Sequence, residues 1–134
     1  MLPITMETEC AMADNETRVV IVDDSADVVD ALADMLTVNG YATRSAMDGL
    51  QAMSVIAEFK PHCVLLDVRM PRVSGLELAR NLRDIYGDDI VLVAVTGGPK
   101  DDEQVSGTFD VVDHYLTKPI DIKAFEKILP RLDG

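Results

Sequence analysis

Cysteine, basic residues and long apolar runs are all scarce in this chain. Its two cysteines, Cys10 and Cys63, do not supply a disulfide framework, and no spacing suits a zinc site. The longest uninterrupted apolar run, residues 90–95, is far too short to cross a bilayer. The N-terminus has no basic region ahead of an apolar one, so it differs from a secretory signal. We therefore expect a soluble cytoplasmic protein.

Acidic residues outnumber basic ones by 24 to 12, which gives a formal net charge of −12. Phosphate binding needs clustered Lys and Arg, so this balance argues against direct contact with nucleic acid. It also disfavours an anionic membrane surface as a partner. We interpret most of the excess as a solvated acidic surface. The length of 134 residues fits one domain, which buries about two-thirds of the surface of its unfolded chain.

Five short segments predict strands. Residues 18–22, 63–67 and 90–95 are apolar throughout or nearly so, which is typical of strands buried on both faces of a sheet. Residues 41–45 are less apolar and predict an edge strand. Residues 111–116 predict a fifth strand, although two polar residues interrupt it.

The segments between the strands predict helices. Ser25 can cap the first helix, whose inward face is predicted to carry Val28, Leu32, Met35 and Leu36. Asp48 and Asp121 can cap the second helix and the last one, and the third helix is expected to run from about residue 74 to Gly87. Residues 100–109 predict only a weak fourth helix, because a glycine interrupts them and few of them are apolar.

The pattern is a strand followed by a helix, repeated five times. Such alternation implies a parallel sheet with helices on both faces and right-handed crossovers. We predict a flavodoxin-like (βα)5 fold, a doubly wound α/β sheet with strand order 2-1-3-4-5. Residues 1–16 contain no Lys or Arg and have no clear period, so we expect a flexible acidic tail ahead of one domain, residues 17–134.

Polar residues end several of these strands. Asp23 and Asp24 follow the first, Asp67 ends the third, Thr96 ends the fourth and Lys118 follows the fifth. The carboxyl ends of parallel strands share one edge of a sheet, so these side chains are expected to converge. Carboxylates brought together repel, which raises a pKa or demands a cation. Oxygen ligands of this kind suit Mg²⁺.

The same residues suit phosphoryl transfer. An ionised carboxylate such as Asp67 can act as a nucleophile and form an acyl phosphate. Lys118 can neutralise phosphoryl oxygens, and Thr96 can donate a hydrogen bond to one of them. Phosphoryl transfer needs mainly this kind of in-line positioning and charge stabilisation.

The motifs in chain order resemble the receiver domain of two-component response regulators. The matching residues are Asp23-Asp24, Asp67-x-x-Met70-Pro71-x-x-x-Gly75, Thr96 and Lys118-Pro119. Each motif is weak alone, but together, in order and each at a predicted strand end, they are highly specific. The resemblance covers residues 18–132. A stand-alone regulator and a domain from a hybrid histidine kinase both fit it.

The resemblance implies a role for each residue. Asp67 would be the phosphoacceptor in a phosphorelay, and Thr96 and Lys118 would contact the phosphoryl group. Thr96 and Tyr115 would form the switch that alters partner binding through the face of helix 4, strand 5 and helix 5. Mg²⁺ would be the cofactor; Asp24, Asp67 and the backbone carbonyl of Arg69 would bind it directly, and Asp23 would bind it directly or through water.

The resemblance also implies partners. A histidine kinase or histidine phosphotransfer domain would donate the phosphoryl group, an unknown downstream protein would read it, and neither nucleic acid nor membrane would bind directly. The domain would be no enzyme beyond catalysing its own phosphorylation and dephosphorylation.

Two other functions on this architecture fit the residues less well. A phosphatase of the haloacid dehalogenase kind requires a second acidic residue two positions after the nucleophile, and Arg69 occupies that position here. A flavin-binding protein wants Ser, Thr and Gly after the first strand, whereas Asp23 and Asp24 would repel a phosphate. The fold alone would not separate these functions, but the site residues favour the receiver.

Overall fold

The apolar runs of the sequence form a parallel sheet in the computed structural model, which describes residues 17–67, 75–96, 111–118 and 120–129. The strands are β1 (Thr17–Val22), β2 (Tyr41–Ala46), β3 (Cys63–Asp67), β4 (Val91–Thr96) and β5 (His114–Thr117). The helices are α1 (Ala26–Val38), α2 (Gly49–Phe59), α3 (Gly75–Tyr86) and α4 (Ile122–Ile128), and a short 3-10 helix spans Gly87–Asp89. The predicted helix at residues 100–109 lies outside the described residues, so α4 corresponds to the predicted fifth helix.

The strand order is β2-β1-β3-β4-β5, and every neighbouring pair is parallel. This confirms the predicted flavodoxin-like order and the edge position of β2. The register pairs Asp67 with Val95 and Thr96 with Thr117, so the ends of β3, β4 and β5 lie side by side. The polar residues that end these strands therefore share one edge of the sheet.

Each face of the sheet is covered by one apolar cluster. The cluster under α2 and α3 includes Val20, Leu66, Leu92, Ile56, Leu78 and Leu82. The cluster under α1 and α4 includes Ile21, Leu65, Val93, Val29, Leu36 and Phe125. Strands buried on both sides explain why β1, β3 and β4 are almost continuously apolar instead of alternating with polar residues.

The predicted helix caps hold in the structure. The side chains of Ser25, Asp48 and Asp121 accept hydrogen bonds from the backbone N–H groups of Val28, Gln51 and Lys123. Gly87, which follows α3, has φ +57°, a conformation that glycine adopts at no steric cost. These caps start α1, α2 and α4 at the carboxyl edge of the sheet, so their N-termini face the strand ends.

The inward face of α1 differs from the prediction by one position. Val29 and Leu36 are the buried residues of α1, whereas Val28 and Met35 are only half-buried. The apolar period fixes a stripe, but it does not fix which edge of that stripe the sheet covers. Val28 and Met35 instead line a groove, which lies beside the candidate site.

The predicted fifth strand was wrong at its start, because β5 begins at His114 instead of residue 111. Asp113 occupies the approach to the strand. Its backbone N–H donates to the carbonyl of Leu92, and its side-chain Oδ2 accepts from the N–H of Leu92. Arg83 in α3 clamps the same turn, since it donates to the carbonyl of Val111 and to Asp113 Oδ2 at 3.0 Å. The Asp113 carboxylate thus accepts the hydrogen bond that a backbone carbonyl would accept in a continuous strand, and it fixes where β5 begins.

Asp113→Ala is expected to destabilise the fold by about 1–3 kcal/mol, because it removes the acceptor of a buried backbone N–H. Asp113→Asn keeps an acceptor oxygen for Leu92 and loses only the charge opposite Arg83, so its cost should be smaller. Urea unfolding measures both, as a lower midpoint with an unchanged slope. Equal losses in the two variants would show that the hydrogen bond to Leu92 is unimportant.

His62 joins β1 to β3 at the amino edge. The ring Nδ1 of His62 accepts from the backbone N–H of Arg18 at 2.9 Å, and the backbone N–H of His62 donates to the carbonyl of Arg18. Burial, and then the positive charge of Arg18, lower the pKa of His62 below its ordinary value of 6.5. The ring therefore stays neutral in the folded protein over a pH range in which it is protonated in the unfolded chain.

Acidification is expected to destabilise the fold through His62. The contribution is fully present above pH 6.5 and is lost as pH falls from there toward the lower folded-state pKa, because the unfolded chain binds the proton more tightly. His62→Asn retains an acceptor near the position of Nδ1 and does not titrate. Urea unfolding above and below pH 6.5 should show a smaller loss in the variant than in the unaltered protein, and identical losses would contradict this role.

Among the described residues, no helix has the length and apolar character needed to cross a membrane.

Candidate functional site

Asp23 and Asp24 follow β1 at the carboxyl edge of the sheet. Asp23 is 3 % exposed and is held on both sides, since its N–H donates to the carbonyl of Ala46 and its Oδ1 accepts from the N–H of Ser25. Asp24 is exposed. Ser25 is the residue that caps α1, so capping does not account for Asp24.

Asp67 and Thr96 end adjacent strands, β3 and β4, and are 6 % and 7 % exposed. A buried carboxylate is unfavourable unless it is paired or hydrogen-bonded. The backbone N–H of Lys118 donates to the carbonyl of Thr96 at 2.8 Å. This bond brings the turn after β5 against the end of β4, so it carries the Lys118 side chain toward the aspartates.

Lys118 bridges the two buried carboxylates. Its Nζ lies 3.1 Å from Asp23 Oδ2 and 3.4 Å from Asp67 Oδ2. Burial by itself would lower the pKa of Lys118, but the hydrogen bonds and negative charges of Asp23 and Asp67 together outweigh it, and the pKa is raised. The ammonium therefore stays charged at neutral pH and partly neutralises the pair.

The three aspartates also form a candidate cation site. Asp23, Asp24 and Asp67 each place a carboxylate oxygen within 4.8 Å of the others. With all three ionised and Lys118 protonated, the cluster keeps two negative charges, which one divalent cation would neutralise. Carboxylate-only ligands with one exposed member, which leaves room for water, suit Mg²⁺. The donor set therefore fits that ion.

The structure brings together Asp23, Asp24, Asp67, Thr96 and Lys118 at one edge, as the sequence predicted. Tyr115 lies on β5 beside Ala94 and packs against the cluster under α2 and α3. The backbone carbonyl of Arg69 lies outside the described residues, as do Met70, Pro71 and Pro119. The sequence reasoning did not single out Ser25 and Ala46 as the groups that orient Asp23.

An apolar groove of about 460 Å³ borders the site. It is lined by Val28, Ala31, Leu32, Met35, Lys118 and Ile120. The half-buried side of α1 therefore leads directly to the ammonium group that contacts Asp67. The helical period of α1 is the available signal for this groove, but by itself it predicts a stripe that faces the core.

Comparison with known proteins gives one family. The family model described as a response regulator receiver domain matches residues 19–130. The response regulator MprA of Mycobacterium sp. (strain KMS) is 40 % identical over 115 residues, which are 86 % of this chain and 48 % of that protein. The chain thus spans about half the length of the curated relatives it matches.

Solved structures share the fold. The CheY-like receiver domain from Methylobacillus flagellatus is 28 % identical, with a TM-score of 0.76 over 85 % of this chain and 96 % of that one. The receiver domain of Ssk1 from Saccharomyces cerevisiae, solved in complex with the histidine phosphotransfer protein Ypd1, has a TM-score of 0.73 over 86 % of this chain and 87 % of that one. At 23 % identity, the second likeness concerns the fold alone.

Proposed function

Because the chain belongs to the receiver-domain family of response regulators, we propose that it takes a phosphoryl group from phosphohistidine onto Asp67 in a Mg²⁺-dependent reaction. The observation that carries this proposal is the convergence of Asp67 with Asp23, Asp24 and Lys118 at the strand ends. Residues 17–134 would form the receiver and residues 1–16 a tail. The domain would act in the cytoplasm, as a stand-alone regulator or as part of a hybrid kinase.

In the proposed reaction, an ionised oxygen of Asp67 attacks the phosphorus of the phosphohistidine. The new bond is an acyl phosphate, the P–N bond breaks, and its electron pair returns to the imidazole of the donor. Lys118 holds positive charge beside the attacking carboxylate, and Thr96 donates its hydroxyl to a phosphoryl oxygen. Asp23, Asp24 and Asp67, with the carbonyl of Arg69, would hold Mg²⁺, which would supply further charge stabilisation when bound. The domain catalyses only its own phosphorylation and its own dephosphorylation.

The groove beside Lys118 is the proposed binding site for the protein that donates the phosphoryl group. A histidine kinase or phosphotransfer domain that lays apolar side chains against Val28, Leu32 and Met35 would hold its phosphohistidine next to Asp67. Such binding would use the half-buried side of α1, which the fold of this domain leaves uncovered.

The experiment that tests the function is covalent uptake of one phosphoryl group from acetyl phosphate, followed by intact-mass spectrometry. Uptake should require Mg²⁺ and should disappear when the metal is chelated. A protein that shows no mass gain under these conditions, although it binds Mg²⁺, would refute the proposal.

We further propose that phosphorylation is read through Thr96 and Tyr115. Thr96 would move toward the phosphoryl group, and Tyr115 would follow by turning inward. The affected surface would comprise residues 100–109, β5 and α4, where the unknown downstream partner would bind. Thr96 lies on β4, and Tyr115 lies beside Ala94 on the adjacent strand β5. This arrangement supports the proposed route from Thr96 to Tyr115.

Amide exchange tests this switch. Exchange in residues 100–110 is expected to be fast in the unmodified protein and to slow when beryllofluoride, a phosphoryl mimic, occupies Asp67. A ligand shifts such an equilibrium only by its differential affinity for the two states, so Thr96→Ala should abolish the slowing while Mg²⁺ still binds. Exchange that is slow from the start, or that ignores the mimic, would place the output surface elsewhere.

A further inference from the structure

The strand β2 forms one outer edge of the sheet. It is the first strand in the order β2-β1-β3-β4-β5, and among the described residues no strand pairs with it on the side away from β1. An outer strand presents a row of backbone N–H and C=O groups that another strand can pair with. The side of β2 away from β1, which we call the β2 edge, is therefore a surface on which a further strand could add.

The hydrogen bonds of the sheet show which residues form the β2 edge. The carbonyl of Ala46 accepts from the N–H of Asp23, so the backbone groups of Ala46 point toward β1. Successive residues of a parallel strand direct their N–H and C=O groups to opposite sides. The backbone groups of Arg44 therefore also point toward β1, whereas those of Thr43 and Ser45 point outward.

The side chain of Arg44 covers part of this edge. Its Nη1 donates to the backbone carbonyl of Thr43 at 3.0 Å, so one outward acceptor is already occupied. The guanidinium carbon of Arg44 lies 4.7 Å from the centre of the Phe59 ring in α2, an attractive cation–π contact. The side chain is exposed, yet these two contacts hold its charged end between α2 and the outer strand.

A shallow recess lies under the same side chain. It has a volume of about 230 Å³ and is lined by Arg44, Val55, Glu58 and Phe59. Val55 and Phe59 are half-buried, so each retains some accessible apolar surface. Removal of the guanidinium would uncover this apolar surface beside the carbonyl of Thr43. An accessible backbone acceptor next to apolar side chains favours the addition of a strand.

We propose that Arg44 keeps the β2 edge from pairing with the β2 edge of a second copy of this chain. A second copy fits because the outward N–H and C=O of Thr43 can exchange hydrogen bonds with the same groups of an antiparallel copy about a two-fold axis. The two Arg44 side chains would lie beside that axis, so their like charges also oppose pairing. This role goes beyond the phosphoryl-acceptor function and does not depend on it.

Arg44→Val tests the proposal in the full chain, without a phosphodonor. The weight-average mass from sedimentation velocity should rise with protein concentration toward that of two chains. Each copy regains one free acceptor, so the dissociation constant of the dimer should be about tenfold lower, or less, than that of the unaltered protein. Arg44→Thr is a second variant with a residue that suits a strand, and circular dichroism checks that both variants are folded.

The matched control is Arg80→Val, which makes the same exchange at an exposed arginine of α3 and should leave the mass unchanged. Ser45→Pro, added to Arg44→Val, should restore the mass of the unaltered protein. Proline removes an N–H that points outward, so the hydrogen bonds between β1 and β2 remain.

Three results would overturn the proposal. Arg44→Val and Arg44→Thr could both sediment as the unaltered protein does, so that Arg44 does not restrain pairing. Arg80→Val could associate equally, so that general apolarity is the cause. Association could also persist with Ser45→Pro, which would place the contact on another surface. All of these results are independent of Asp67 phosphorylation.

Discussion

Asp67→Asn is expected to abolish the mass gain that acetyl phosphate and Mg²⁺ produce. The amide nitrogen and oxygen of Asn keep the shape of the side chain, but the neutral amide is not a nucleophile for phosphorus. The loss should be complete instead of partial. Among the other described residues, only Asp23 is a buried carboxylate in contact with Lys118. The two carboxylate oxygens of Asp23 already contact Ser25 and Lys118. Intact-mass spectrometry of the treated protein measures it.

The matched control is Asp84→Asn, which removes an exposed carboxylate from α3 and should leave the mass gain unchanged. Asp67→Asn should remain folded, since it removes one of the mutually repelling charges at the site. A mass gain in Asp67→Asn equal to that of the unaltered protein would place the acceptor on another residue.

The candidate site was predictable because it depends on two simple properties. Apolar runs identify the parallel strands, and the sequence shows directly which residue ends each run. The parallel arrangement then gathers Asp23, Asp67, Thr96 and Lys118 without any knowledge of side-chain packing. The sheet order was predicted from the alternation of strands and helices, and the family from the resemblance of the motifs; both predictions are confirmed.

Features that depend on tertiary register were not predictable. Asp113 seemed to interrupt a strand, but its carboxylate accepts from Leu92 and sets the start of β5. Nothing in the sequence pairs His62 with Arg18, yet the His62 ring accepts from the backbone N–H of Arg18, 44 residues away. Val29 is buried and Val28 only half-buried, a difference between neighbouring residues of α1 that the apolar period does not predict. In each case the deciding contact joins segments that are distant in the sequence.

Mg²⁺ is expected to stabilise the fold, because the unfolded chain does not gather the three aspartates. A ligand at one hundred times its dissociation constant adds about 2.7 kcal/mol, which for a domain of this size corresponds to a melting temperature higher by roughly 10 °C. Lys118 already neutralises part of the charge of Asp23 and Asp67, so the metal-free fold should still be stable. Thermal unfolding monitored by circular dichroism, at constant ionic strength, measures the shift.

Two variants, one at the end of β1 and one in α1, distinguish specific Mg²⁺ binding from general screening of the acidic charge. Asp24→Asn should reduce the Mg²⁺ shift to less than half, and because Asp24 is exposed it should cost the metal-free protein little. Asp30→Asn removes an exposed carboxylate from α1 outside the cluster and should leave the shift intact. If Asp30→Asn weakens the shift as much as Asp24→Asn does, the ion acts on the overall acidic charge. Specific binding instead requires the response to follow Asp24, because its exposed carboxylate is the member of the cluster that a hydrated ion meets first.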